Sequence, residues 1–282
     1  MLDTDRARQF MIRAMDSPEE STAVYREIEN RLLERMSWSR QSPERIVDLG
    51  CGRGQASAHL AGRFPDAQVL ALDHAAPMLR QLGPGVVGLC ASAERIPLRS
   101  ASVDTVFSNL LLPWCADPGA VIGEICRVLR PEGSLWFTSL GPDTLTELRQ
   151  AWSRVDAYPH VHPFVDMHHI GDALLSAGLQ NPVLEVETLT VTYPDPLALM
   201  RELKQLGAQN AHRERFRGLT GQQRMAGMME GLESFRRDGA IPATCEVIYG
   251  HAWGAPEGLP RREQGMDVAT FSVDSLRRSA RR

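Results

Sequence analysis

The stretch Val47-Asp48-Leu49-Gly50-Cys51-Gly52-Arg53-Gly54-Gln55 constrains the fold of this chain more than any other part of its 282 residues. An apolar run over 46–49 reads as a short buried strand that empties into glycines, and a helical pattern starts near Gln55. Glycine at positions 50, 52 and 54 lets the backbone turn sharply and lets a ligand approach with no Cβ in the way. The spacing also sorts ligands. A dinucleotide fingerprint needs glycine at 55, where glutamine stands, and a triphosphate loop needs a Gly-Lys-Ser/Thr step that the sequence lacks. Gly-x-Gly-x-Gly suits a nucleoside ligand with no pyrophosphate to seat on the helix terminus.

The same strand-then-helix rhythm repeats. Residues 69–73, 86–90, 103–108 and 134–139 read as further strands. A helix is expected around 77–82. Another is capped by Asp117 with Pro118 at its first position, buries Val121, Ile122, Ile125, Cys126 and Leu129, and is expected to stop at Pro131. Upstream, Ser17-Pro18-Glu19-Glu20 reads as a capping box opening a helix over 17–36. Beyond 140 the alternation loosens. Helices are expected over 142–154 and 168–178, and strands over 183–193 and 245–253, with ~50 mostly helical residues between the two strands. This pattern predicts an α/β chain: a Rossmann-like, seven-stranded, mostly parallel sheet with a helical cap inserted near the C-terminal strands. It divides into a helical segment (1–40), a ligand-binding core (41–140), a substrate cap with the final strands (141–253) and a disordered tail (254–282).

Composition enters by exclusion. The chain has 30 arginines and one lysine, Lys204, so lysine-based covalent chemistry has a single candidate, in a polar helical run. A net charge of -4 argues against nucleic acid as a partner. No run of 18 apolar residues predicts a membrane span, and the N-terminus lacks the shape of a signal peptide. The five cysteines form no CxxC pair and most read as buried thiols, which gives a cytoplasmic expectation.

Residues 46–139 resemble a class I S-adenosylmethionine-dependent methyltransferase. The resemblance rests on Asp-Leu-Gly-Cys-Gly at the loop, on Asp73, and on Ala-Glu-Arg-Ile-Pro-Leu (93–98). Asp-Thr-Val-Phe-Ser-Asn (104–109) and Leu-Arg-Pro-Glu-Gly-Ser (129–134) fit it too. It implies that Gly50 and Gly52 flank the methionine portion of S-adenosylmethionine and that Asp48 supports its amino group. It also implies that Asp73 holds the ribose, that His74 and Met78 sit near the adenine, and that Asn109 lines the site. Cys51 and Ala93 fall in the same cofactor site by this resemblance, and Ser92 stands where many relatives carry the aspartate that meets the adenine amine.

The second half is similar to the malonyl-acyl carrier protein O-methyltransferase family of biotin synthesis, over about 45–253. Leu-Gly-Pro-Asp-Thr-Leu-Thr-Glu-Leu-Arg (140–149), His-Val-His-Pro-Phe-Val-Asp-Met-His (160–168), Leu-Lys-Gln-Leu-Gly-Ala-Gln-Asn (203–210) and Ile-Pro-Ala-Thr-Cys-Glu-Val (241–247) carry that likeness. The family's Tyr-Asp pair ahead of the capped helix reads Met15-Asp16 here, with Tyr25 as the aromatic that can stand in. The resemblance implies S-adenosylmethionine as cofactor and malonyl-acyl carrier protein or malonyl-coenzyme A as substrate. Two other readings stay open at this point: a protein hydroxylase like the related mitochondrial complex I assembly factor, and a non-catalytic S-adenosylmethionine-binding module.

A malonyl carboxylate is ionised at neutral pH and is its own nucleophile. It needs a cation to orient it, preferably a guanidinium fork that fixes one oxygen and leaves the other free. Arg149, on the helix after the fifth strand, is the expected fork. His160 and His162 are expected to line the substrate site and donate hydrogen bonds there. Together with Asp166, His168 and His169 they also invite a metal reading, but carboxylate methylation needs no metal and none is expected. The arginines at 213, 215, 217, 224, 236 and 237 make the cap basic, as docking of an acidic carrier requires.

Overall fold

The computed structural model describes residues 2–18, 22–256, 261–263 and 266–268. Seven strands form one sheet in the order β3-β2-β1-β4-β5-β7-β6. The parallel part comprises β1 (Arg45–Leu49), β2 (Gln68–Asp73), β3 (Val86–Cys90), β4 (Val103–Ser108) and β5 (Leu129–Leu140). β7 (Ile241–Trp253) pairs antiparallel with both β5 and β6 (Gln180–Tyr193). Chain order reverses between β1 and β4, so the carboxyl ends of these two strands open a crevice, which is where open α/β sheets bind ligands.

Helices cover both faces. α2 (Ala23–Ser37) buries Ile28, Leu32, Leu33 and Met36 against Ile46, Val69 and Phe107, and α3 (Gln55–Arg63) adds Leu60. On the other face α4 (Pro118–Val128) buries Val121, Ile122 and Ile125, joined by Ile170 and Leu174 of α6 (Met167–Ser176). A fully buried leucine or isoleucine of this kind contributes about 2 kcal/mol. The cap has its own core. Leu148, Ala151 and Trp152 of α5 (Thr146–Ser153), Leu199 of α7 (Pro196–Gln205), and Met228 and Leu232 of α8 (Gln222–Glu233) pack with Tyr193 and Ala243.

Several elements differ from the sequence reading. α1 (Thr4–Ala14) was not expected; Asp3 caps it, and Ala7, Phe10 and Ala14 form its buried face. The helix expected from residue 17 begins at Ala23. Ser17 instead closes α1, its N–H donating to Ala14 O at 3.0 Å, while Glu19 and Glu20 of the expected capping box lie outside the described residues. Around 77–82 only a single 3-10 turn forms, Met78–Gln81. Pro131 does not end α4: the chain turns extended at Leu129 (ψ 135), and β5 runs through the proline. Within the tail expected to be disordered, Arg261–Glu263 (β8) and Met266–Val268 (β9) pair antiparallel; 257–260, 264–265 and 269–282 lie outside the described residues.

Candidate active site

The glycine loop is pinned at the crevice by the backbone of the neighbouring strand, since Gly50 and Cys51 N–H both donate to Leu72 O. Gly50 sits at φ +77, where a Cβ would come within 2.9 Å of Leu111 Cδ1. Gly52, at φ +51, faces open space, so its bare backbone is left for a ligand. Asp73 holds the loop's shape by accepting from Gly52 N–H (3.1 Å) and Ala75 N–H (2.8 Å). Its carboxylate keeps lone pairs for a diol.

A cleft of about 190 Å³ opens over this loop. Asp48, Gly50, Cys51, Gly52 and Asp73 line it, as do His74, Met78 and Asn109. Asn109 is fixed from two sides, its Oδ1 accepting from Thr138 Oγ1 (2.6 Å) and its Nδ2 donating to Tyr25 O (3.4 Å). Asp48 is 1% exposed and accepts from the Ser57 hydroxyl. Burial pushes its carboxyl up to about 7, helped by Asp73 and opposed by Ser57. Burial also raises the Cys51 thiol, so it stays protonated.

Two residues expected in the cofactor site do not line this cleft. Ser92 is exposed and its Oγ accepts from Glu94 N–H, while Ala93 packs into the apolar core. Other lining residues were not singled out from the sequence. Met11 and Ala14 come from α1, Thr22 and Glu29 from α2 and its cap, and Trp114 and Leu206 from more distant elements. The spacing of Ala7, Phe10 and Ala14 behind the Asp3 cap was the available signal for α1. For Trp114 and Leu206 no local signal exists.

A second, larger cavity of about 710 Å³ adjoins the first. Tyr25, Trp114 and Leu206 line both, so these three residues stand where the two cavities meet. The cavity is built from α1, the cap helices and the ends of β6 and β7, with Phe10, Leu145, Leu199 and Cys245 on its walls. Cationic side chains reach it from three places: Arg6 on α1, Lys204 on α7, and Arg215 and Arg217 on the loop before α8. Arg215 is held by Asp3 (3.4 Å) and by His212 O (2.8 Å). Glu202 also lines the cavity, where it pairs with the Tyr193 phenol and is pushed above its ordinary range by burial.

Arg149, expected as the carboxylate fork, does not itself line this cavity. Its guanidinium donates to Pro142 O (2.8 Å) and Thr144 O (3.1 Å), bracing the turn between β5 and α5, and it borders a more open pocket that shares Trp152, His160, Val161 and Phe164 with the large cavity. His160 and His162 do line the large cavity, but each is already engaged. His160 stacks on Trp152 (3.7 Å between centroids, 3° between planes), and its Nε2 meets Asp156 at 2.9 Å. His162 is buried edge-on to Trp114, accepts Ala211 N–H at Nε2 and, through desolvation first and His212 second, is pushed down to about 4. It is therefore a neutral acceptor. His168 and His169 are exposed on α6, and among the described residues no group of three or more His, Cys, Asp or Glu gathers to hold a metal.

A Rossmann-like sheet with this glycine loop, an aspartate at the end of β2 and an adjoining second cavity has the form of an S-adenosylmethionine-dependent methyltransferase, and the methyltransferase-domain family model matches residues 47–137. The chain is 44% identical over 277 residues to a malonyl-[acyl-carrier protein] O-methyltransferase of Methylovorus sp. (strain MP688), covering 92% of this chain and 94% of that one. It is 42% identical over 285 residues to the protein of the same name in Laribacter hongkongensis (strain HLHK9), covering 95% and 96%. The chain belongs to the malonyl-[acyl-carrier protein] O-methyltransferase family. In structure it is similar to the YcgJ protein of Bacillus subtilis, with a TM-score of 0.58 at 15% identity over 80% of this chain and 98% of that one, a likeness of fold.

Proposed function

We propose that this chain transfers the methyl group of S-adenosylmethionine to the free carboxylate of a malonyl thioester carried on acyl carrier protein, a step in the making of a biotin precursor. The observation that carries the reading is the pair of joined cavities. The cofactor cleft ends at Tyr25, Trp114 and Leu206, and on the other side of these residues lies a larger chamber with cations at its walls. In the cleft, Asp73 takes the ribose hydroxyls, Asp48 the ammonium, and His74 and Met78 flank the adenine.

In the transfer, a carboxylate oxygen attacks the methyl carbon in line with the carbon–sulfur bond. The bond breaks toward sulfur, leaving a neutral thioether and a methyl ester, and no proton moves. An anion and a sulfonium cancel as the bond forms, so excluding water favours the transition state. Alignment does the rest. The cation that orients the carboxylate comes from the set Arg6, Lys204, Arg215 and Arg217, which line this cavity, whereas Arg149 lies outside it with two of its N–H groups on backbone carbonyls. His160 and His162 shape the cavity wall and are not proton carriers.

In this reading residues 1–40 close over the cofactor, 41–140 hold it and 141–253 receive the acyl arm. Five free cysteines and the absence, among the described residues, of any helix long and apolar enough to cross a membrane fit a cytoplasmic reaction. Malonyl-coenzyme A is the alternative carrier. Incubation with labelled S-adenosylmethionine and malonyl-acyl carrier protein, followed by intact-mass measurement, is expected to find one methyl group added on the acyl arm. Cofactor binding without any mass gain would sink the proposal.

A further inference from the structure

α2 lines the cofactor cleft with a side chain that its packing does not call for. Tyr25 and Glu29, one turn apart, both border the cleft, while Ile28, Leu32 and Met36 of the same side go into the core. An apolar residue would serve packing at 29. A carboxylate stands there instead, facing a cleft that also holds Asp48. Among the described residues no group donates a hydrogen bond to Glu29 and no cation balances it. Burial and the neighbouring Asp48 push its carboxyl up to about 8. Two carboxylates lining one cleft without a counter-ion are costly unless the ligand brings the positive charge.

S-adenosylmethionine carries two positive groups, the sulfonium and the α-ammonium of its amino-acid tail. The ammonium has three N–H donors to satisfy. One oxygen of Asp48 already accepts from Ser57, and the three N–H bonds of an ammonium diverge in directions that one carboxylate cannot all meet. We propose that Glu29 is the second carboxylate of the ammonium seat, reaching the cofactor's tail from α2 while Asp48 reaches it from β1. This makes α2 part of the cofactor site, so that a helix outside the glycine-loop motif reads the amino acid of the ligand. The inference rests on the assignment of the cleft to S-adenosylmethionine with its tail at Asp48.

Three ligands separate the possibilities by calorimetry on the full chain. S-adenosylmethionine has both positive groups, S-adenosylhomocysteine keeps only the ammonium, and 5′-methylthioadenosine has neither. Glu29→Gln keeps the shape and removes the charge. It is expected to raise Kd about tenfold for the first two ligands and to leave the third within about twofold. Weakening of S-adenosylmethionine alone would put Glu29 at the sulfonium and overturn the proposal. Equal weakening of all three, or of none, would overturn it too. Removing a like-charge contact should leave the unliganded variant melting no lower than the parent, which checks folding. Asp48→Asn tests the underlying assignment separately: if it does not distinguish tailed from tailless ligands, the placement of the tail is wrong, whereas a selective Asp48→Asn with a silent Glu29→Gln rejects Glu29 alone.

Discussion

Burial governs the charge state of the groups around the cleft, and this gives the unliganded protein a definite pH response. Glu29 and Asp48 are raised to about 8 and about 7. Such groups add stability in full below their unfolded pKa near 4, and that stability is lost as pH rises through the folded values. Asp73 and Cys51 face the pair from the strand ends and the loop, His74 and Arg53 border the same cleft, and Tyr25 shares the helix of Glu29. His162 and His251 act at the other end. Each is depressed to about 4 by desolvation, so its contribution is present above about 6.5 and is lost as pH falls toward 4. The two effects oppose each other below about pH 6.5, so the melting temperature of the unliganded chain should fall as pH rises from about 6.5 to about 8, and Glu29→Gln should flatten that fall. A parent and variant with identical slopes between pH 6 and 8.5 would contradict this.

Arg149 makes a second test at the same scale. With its guanidinium on Pro142 O and Thr144 O, Arg149→Ala should cost about 1–3 kcal/mol of stability. Its effect on turnover should be no larger for a malonyl thioester than the stability loss explains. Arg217→Ala, at an exposed residue bordering the acyl cavity, should do the reverse: little change in melting, and a drop in kcat/KM that follows the substrate's carboxylate. A selective collapse of kcat/KM in Arg149→Ala would restore the fork to that residue.

Among the elements, α1 joins the two chambers. Met11 and Ala14 border the cleft over the glycine loop, and Asp3, Arg6 and Phe10 border the larger cavity. Its start is stitched to the cap by Asp3 N–H to Ala211 O (2.8 Å) and Arg213 Nε to Leu2 O (3.1 Å). Its end is clasped by Arg53 of the glycine loop, which donates to Ala14 O and Ser17 O. Arg53→Ala should therefore loosen an element distant in sequence. Hydrogen exchange over 4–14 is expected to speed up and cofactor Kd to rise together; unchanged protection there would remove the clasp. The strands and α4 were legible because each carries its own apolar period and its own cap, as Asp117 and Pro118 do for α4. Pro131 misled because a proline after a helix also fits the first residues of a strand, and the chain had already left the helix at Leu129. Ser17 misled because its local pattern fits a helix start equally well as the closing turn of the helix before it.

For the whole molecule, charge is used less freely than its distribution along the chain implies. Several cap arginines are committed internally: Arg224 to Asp156, Arg236 to Glu233, Arg215 to Asp3. Arg213, Arg217 and Arg237 stay exposed, and Leu219, 98% exposed, stands in the loop that borders the acyl cavity. If an acidic carrier docks here, turnover of malonyl-acyl carrier protein should fall about tenfold or more between about 50 and 500 mM salt, and that of malonyl-coenzyme A clearly less. Equal salt dependence for the two carriers would reject docking by charge.

The sequence alone determined the parallel sheet, the glycine loop, Asp48 and Asp73, because strand burial, loop conformation and ligand approach are local demands met by consecutive residues. It could not place Ser92 outside the cleft, turn Arg149 onto the backbone of its own loop, or bring Glu29, Trp114 and Leu206 to one cleft. Those outcomes depend on which helix faces meet across the sheet and on which polar groups find partners first. A guanidinium binds the nearest unsatisfied carbonyls, and only the packed chain decides which those are.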